Sequence, residues 1–178
     1  MAEGVVVPSH GSVLRVTQVL REAGLIDVQW IAEDARDRGS ALHAATHYLD
    51  IGDLDRSSVD ERVAPALTQY ERFIAEMRPQ ILAVEEEVTN ATFGYSGRLD
   101  RRVILNEREG VLDIKGVTRS AWHGVQLAAY AACFDRPLRR WSLHVTADDY
   151  RLIEHTDRDD WRAFQAALAL VAWRRKHE

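Results

Sequence analysis

Tyr95-Ser96-Gly97-Arg98-Leu99-Asp100-Arg101-Arg102-Val103-Ile104-Leu105 and, after a polar loop, Val111-Leu112-Asp113-Ile114-Lys115-Gly116 mark a change of period in the chain. Apolar residues upstream recur at helical spacing, whereas here they follow period two, as strands do. With residues 81–88 in front, segments 95–105 and 111–115 predict three consecutive strands. Turns at Thr89-Asn90 and at Asn106 to Gly110 would make them an antiparallel meander.

Upstream, Ser12 is placed to cap a helix through Val13, Val16 and Leu20 that Gly24 ends. A second helix is expected over 29–50, closed by Gly52-Asp53, and a third from Ser58. The third carries an apolar stripe of Val59, Val63, Leu67, Tyr70, Ile74 and Met77 before Pro79 stops it. Downstream, an Ala-rich helix is expected over 122–134, then strands over 141–145 and 150–153 around a polar turn at 147–149. A last helix over 159–176 would bury Trp161, Phe164, Leu168 and Val171. The helical part (1–80) and the sheet with its helices (81–178) have no linker long enough to part them. The expectation is one domain over 1–178, of α/β or α+β class, with a mixed central β-sheet flanked by helices.

The chain has 178 residues, 46% hydrophobic and 29% charged, which excludes disordered, collagen-like and repeat classes. Its length suffices to bury about 70% of the unfolded surface, enough for a core without a metal or disulfide. One cysteine, Cys133, excludes an internal disulfide, a cysteine-rich zinc site and a four-thiolate iron–sulfur cluster, and suits a reducing compartment. The longest apolar runs, 127–134 and 166–173, are eight residues each, far short of the roughly 18 a membrane span needs. Met1-Ala2-Glu3-Gly4 lacks the basic-then-apolar pattern of a signal peptide. The expectation is a cytoplasmic protein without a membrane partner. A net charge of −5 argues against coating nucleic acid by global charge, but residues 97–124 carry six basic residues against four acidic. That leaves room for a local basic groove.

Asp113 and Lys115 are two apart on one strand and so share a face. A carboxylate and an ammonium on a central strand are costly to desolvate unless paired or used, so the choice is between a structural salt bridge and a site. Asp100, thirteen residues upstream on the preceding strand, can be brought beside Asp113 by antiparallel pairing. Converging carboxylates repel unless a cation lies between them, and hard oxygen ligands with room for water suit Mg²⁺ or Mn²⁺. A lysine beside such an ion fits phosphodiester hydrolysis.

Tyr95-Ser96-Gly97-Arg98-Leu99-Asp100, Asp113-Ile114-Lys115 and Gln126-Leu127-Ala128-Ala129-Tyr130 resemble the PD-(D/E)XK nuclease superfamily, in its RecB-like and phage-exonuclease branch. Arg38-Gly39 with Leu42-His43, and Val84-Glu85-Glu86-Glu87-Val88, extend the resemblance, so that its five motifs touch most of 38–130 in the family's order. The resemblance implies a restriction-endonuclease-like core and a Mg²⁺- or Mn²⁺-dependent deoxyribonuclease. It implies that Asp100 and Asp113 bind the metal with the Ile114 carbonyl, that Lys115 is the catalytic lysine, and that His43 completes the metal site from the helical side. A strand glutamate bearing on the metal is matched better by Glu85, with Glu87 the alternative. Gln126 and Tyr130 would help to position the DNA backbone and the lysine. Gly39 would let the helix approach the sheet.

His47, one turn after His43, shares its face and is read as a packed histidine, because a histidine pair would suit zinc better than magnesium. Trp122 is either core or a stacking surface for an unpaired base, and Arg119 and His123 are candidate phosphate contacts. Two positions depart from the family pattern: Leu99 stands where proline precedes the first aspartate, and Gly116 replaces a frequent Thr or Ser after the lysine. The reading is an exonuclease of phage-like recombination or repair, with DNA as partner and room for a homo-oligomer or a recombination partner protein. A structure-specific or restriction-type endonuclease, and a non-catalytic nucleic-acid-binding module, are the alternatives.

Overall fold

A computed structural model of the protein describes residues 13–26, 33–116 and 120–177. It is an α+β structure with a mixed six-stranded sheet and five helices. In chain order these are β1 (Leu14–Arg15), α1 (Val16–Glu22), α2 (Glu33–Asp50), a 3₁₀ turn (Arg56–Ser58), α3 (Ala64–Met77), β2 (Gln80–Asn90), β3 (Tyr95–Leu105) and β4 (Arg108–Lys115). They continue with α4 (Trp122–Ala131), β5 (Arg139–Val145), β6 (Tyr150–Glu154) and α5 (Asp159–His177).

The expected meander is present, since β2 and β4 both pair antiparallel with β3. β5 joins β4 in parallel and β6 closes that side antiparallel. The turn between β3 and β4 is tighter than expected. Asn106 and Glu107 both take positive φ, 47° and 62°, as a two-residue hairpin requires, so residues 108–110 extend the strand.

Two helix starts also differ. Leu14 and Arg15 pair in parallel with Tyr95 and Ser96, so α1 begins at Val16; Ser12, the expected cap, lies outside the described residues. Asp55 accepts from the Ser57 amide at 2.9 Å and caps the 3₁₀ turn. α3 therefore starts only at Ala64, with Pro65 in its first turn. The expected start of α2 at residue 29 lies outside the described residues.

Helices cover both faces of the sheet. α1, α4 and α5 bury Val19, Leu20, Leu127, Phe164 and Val171 against Leu99 and Val111. On the other face, α2 and α3 pack Leu42, Tyr70 and Phe73 against Val103, Leu112, Ile114 and Leu143. Asp159 and Asp160 open α5, and Arg174, Arg175 and Lys176 end it, each charge set opposing the helix dipole at its end. Among the described residues no helix is long and apolar enough to cross a membrane.

Candidate functional site

Position along β3 decides where chemistry is placed. One edge of β3 is covered by β2 over most of its length. The other edge is shared: β4 pairs with Arg101 to Leu105, and β1 pairs with Tyr95 and Ser96. No ladder pair covers Gly97 to Asp100 on that edge, and β4 beyond Leu112 pairs only with β5. The strands fork there, and Tyr130 packs into the opening so closely that a Cβ on Gly97 would come within 2.6 Å of its ring.

A strand amide left without a ladder partner needs an acceptor. Asp100 supplies it, its Oδ2 accepting from the Ile114 amide at 2.8 Å. The same oxygen lies 3.3 Å from His43 Nδ1, presented by α2. On β4, Lys115 Nζ lies 2.5 Å from Asp113 Oδ2 and donates to Gln126 Oε1 at 2.9 Å. Gln126 in turn donates to the Tyr130 hydroxyl at 3.1 Å. The lysine approaches Asp113 outside hydrogen-bonding geometry, so the buried Oδ2 has an ion pair but no hydrogen bond. An oxygen in that condition retains an unmet demand for a donor or a cation.

Glu85 stands across from Asp100, between the pairs Val84–Arg101 and Glu86–Leu99, with φ at 52°. A non-glycine residue held in the left-handed region costs about 1–3 kcal/mol and concentrates at functional sites. Arg98 Nε holds its carboxylate at 2.9 Å. One ligand atom each from His43, Glu85 and Asp100 lie within 4.8 Å of one another. Glu87 instead pairs with Arg15 at 3.3 Å on an exposed surface.

Behind these groups Arg101 is fully buried. Its Nε meets Asp50 Oδ2 at 2.5 Å, its Nη1 donates to the Asp100 carbonyl at 2.7 Å, and its Nη2 donates to Thr46 Oγ1 at 3.3 Å. Tyr70 donates to the same Asp50 oxygen at 2.6 Å, and Thr46 donates to the His43 carbonyl at 3.0 Å. The network ties α2 to β3 beside the cluster.

Burial, and after it the charge of Asp113, push the Asp100 carboxyl up to about 6, against the opposing pull of His43 and Lys115. Such a pair is stabilised by a cation. The groove has a volume of about 800 Å³ and takes Arg15 and Arg21 from the α1 side and Arg36 from α2. Arg21 and Arg36 have no ion-pair partner among the described residues.

Of the residues expected from the sequence, His43, Glu85, Asp100, Asp113, Lys115, Gln126 and Tyr130 all line this groove. Ile114 donates its amide to Asp100. Two are placed differently. Asp113 stands beside the three-atom cluster rather than in it. Trp122 does not line the groove; its ring centre lies 4.7 Å from Lys115 Nζ, where a cation–π contact steadies the ammonium.

Arg119 lies outside the described residues. His47 keeps a buried Nδ1 without a hydrogen bond and packs edge-on to Tyr48, apart from the cluster. Gly39 is not the close approach expected of it, since a Cβ there meets nothing within 4 Å. Gly97 holds that place. Sequence reading missed Arg101 and the groove arginines 15, 21 and 36, whose helical spacing carries no sign of a shared destination.

The chain matches no protein-family model and no curated protein. Among solved structures it aligns with "Crystal structure of SSO0001" at a TM-score of 0.37 and 15% identity, over 85% of this chain and 80% of that one, a likeness too slight to bear on family or function.

Proposed function

We propose that the protein is a metal-dependent DNA nuclease with a PD-(D/E)XK-type core, an exonuclease of phage-like recombination or repair. The observation that carries this is the meeting of Asp100, Asp113 and Lys115 at the strand fork, with a buried Asp113 oxygen that is ion-paired to Lys115 but has no hydrogen bond. Carboxylates with one imidazole suit Mg²⁺ or Mn²⁺, held by His43, Glu85 and Asp100 with Asp113 alongside. When bound, such an ion neutralises charge developing on the phosphate and acidifies water.

The chain's own groups do the rest. Asp113 and Gln126 clamp Lys115 so that its ammonium stays at the groove floor, where it attracts the scissile phosphate and orients the attacking water. Tyr130 fixes Gln126 in turn. Arg21 and Arg36 supply positive charge for the strand that an acidic chain otherwise lacks.

The test is incubation of linear and closed circular duplex with Mg²⁺ or Mn²⁺, alongside EDTA and Lys115→Ala controls. Loss of linear DNA alone, abolished by both controls, is the expected result. Cutting of the circle would make the protein an endonuclease, and folded protein that cuts neither substrate would overturn the nuclease reading.

A further inference from the structure

Beyond Lys115, away from the groove, lies a second cavity of about 360 Å³, lined by Ser120, Ala121, His123, His144, Ile153 and His155. Among the described residues its polar lining is imidazoles and a serine, with no carboxylate, lysine or arginine. Hydrogen bonding fixes much of it. His144 Nδ1 faces the Gly116 carbonyl at 3.1 Å, so that nitrogen carries the proton and Nε2 accepts from Ser142 Oγ at 3.2 Å. Ser142 then accepts from His155 Nε2 at 2.8 Å, which leaves His155 Nδ1 as an acceptor.

His123 is 3% exposed, and its ring makes no hydrogen bond among the described residues. Its contacts are ring to ring, 4.3 Å from Trp122 and 5.4 Å from His144 between centres. The cavity therefore offers hydrogen-bonding groups bounded by flat rings.

We propose that this cavity is a nucleobase site, which takes the base of the nucleotide whose phosphate lies at Lys115. The choice of a base rests on the nuclease reading of the neighbouring groove; the cavity's chemistry does not. An uncharged heteroaromatic with donors and acceptors on its edge matches the His123 and His155 imidazoles, and among the described lining residues there is no lysine or arginine for a phosphate. Burial above all, with the nearby Lys115 charge adding to it, pushes the His123 imidazole down to about 3, and burial lowers His155 as well. Both rings are neutral at pH 7, as a base site needs. The reach is right too. Lys115 and His144 are register partners on neighbouring strands, about 5 Å apart, and Trp122 spans the interval from Lys115 to His123.

The experiment uses the full chain without metal and follows the ring ¹H–¹⁵N signals of His123 and His155. Adenosine, guanosine, cytidine and thymidine are titrated in turn, with inorganic phosphate and ribose 5-phosphate as controls. At least one nucleoside is expected to shift both histidines saturably while the controls do not. His123→Phe, which keeps a ring and removes its nitrogens, should weaken that nucleoside about tenfold, its fold verified by thermal melting. The corresponding 5′-monophosphate should bind more tightly than the nucleoside in the wild type, and lose that advantage in Lys115→Ala.

Shifts with phosphate alone would make this an anion site and overturn the proposal, as would no shift with any nucleoside. A monophosphate that gains nothing over its nucleoside would break the link to the groove. None of these measurements needs DNA cleavage, so the nuclease reading and the base site can fail separately.

Discussion

The two halves of β4 have the same backbone and opposite roles. From Gly110 to Leu112 it is paired on both edges, and its side chains there are apolar. From Asp113 to Lys115 it has lost one neighbour, and there a carboxylate, an ammonium and an amide bound to Asp100 are found. The closed half stabilises; the open half exposes backbone and charge that only further partners can satisfy. The candidate site in this fold arises where a strand is unpaired beside a core that stays paired.

The largest effect expected is on the open half. Lys115→Ala and Asp113→Asn should each lower DNA hydrolysis by about a thousandfold, while thermal melting shows the fold retained. Loss of the fold in both would mean that the pair is structural. Next comes the network that holds the fork. Arg101→Met leaves Asp50 buried without its cation, and should cost about 3–5 kcal/mol in urea unfolding. Arg101→Met with Asp50→Leu should recover most of that, since no charge is left unpaired, yet Mn²⁺ binding by calorimetry should stay weakened because Asp100 has lost its support. Full recovery of binding would show that Arg101 does not position the cluster.

A third test concerns the far side of Lys115. His123 titrates near 6.5 when unfolded and is held down to about 3 in the fold, where Lys115, Asp113, His144 and His155 face it. Between those values the unfolded chain binds a proton that the native one refuses, so stability must fall as pH drops from about 6.5 toward 3. The slope from this one group approaches about 1.4 kcal/mol per pH unit. Comparing His123→Phe with wild type cancels the other titrating groups, and an unchanged slope would refute the shift.

Much of this was legible in the sequence, for identifiable reasons. Strand period two located β3 to its ends, Tyr95 and Leu105, because every second residue there is buried. Asp100, Asp113 and Lys115 were readable because carboxylates and an ammonium on inward strand positions demand an explanation. Arg101 was not readable, since one of three arginines in a strand says nothing about an aspartate fifty-one residues away on a helix. The fork was hidden as well. Which edge of β3 stays open depends on where Leu14 and Arg15 dock, and two residues carry no periodicity.

The smallest effects on stability give the sharpest comparison, because each half of the β2–β3–β4 meander contains a glutamate in the left-handed region. Glu107 sits in the hairpin at the closed end, with φ at 62° and an exposed side chain. Glu107→Gly should relieve strain at the cost of some unfolded-state entropy, for a net gain of about 0.5–1 kcal/mol, and leave DNA hydrolysis unchanged. Glu85, at the open end, has a φ of 52° and a carboxylate held by Arg98 beside Asp100 and His43. Glu85→Gly gains the same backbone relief and loses that pairing, so its stability should shift by less than that of Glu107→Gly while hydrolysis collapses. Strain that can be removed without penalty is an accident of a tight turn; strain whose removal abolishes activity is held in place by what the side chain does. If both variants keep full activity, Glu85 is a second tight corner and the cluster is His43 and Asp100 alone.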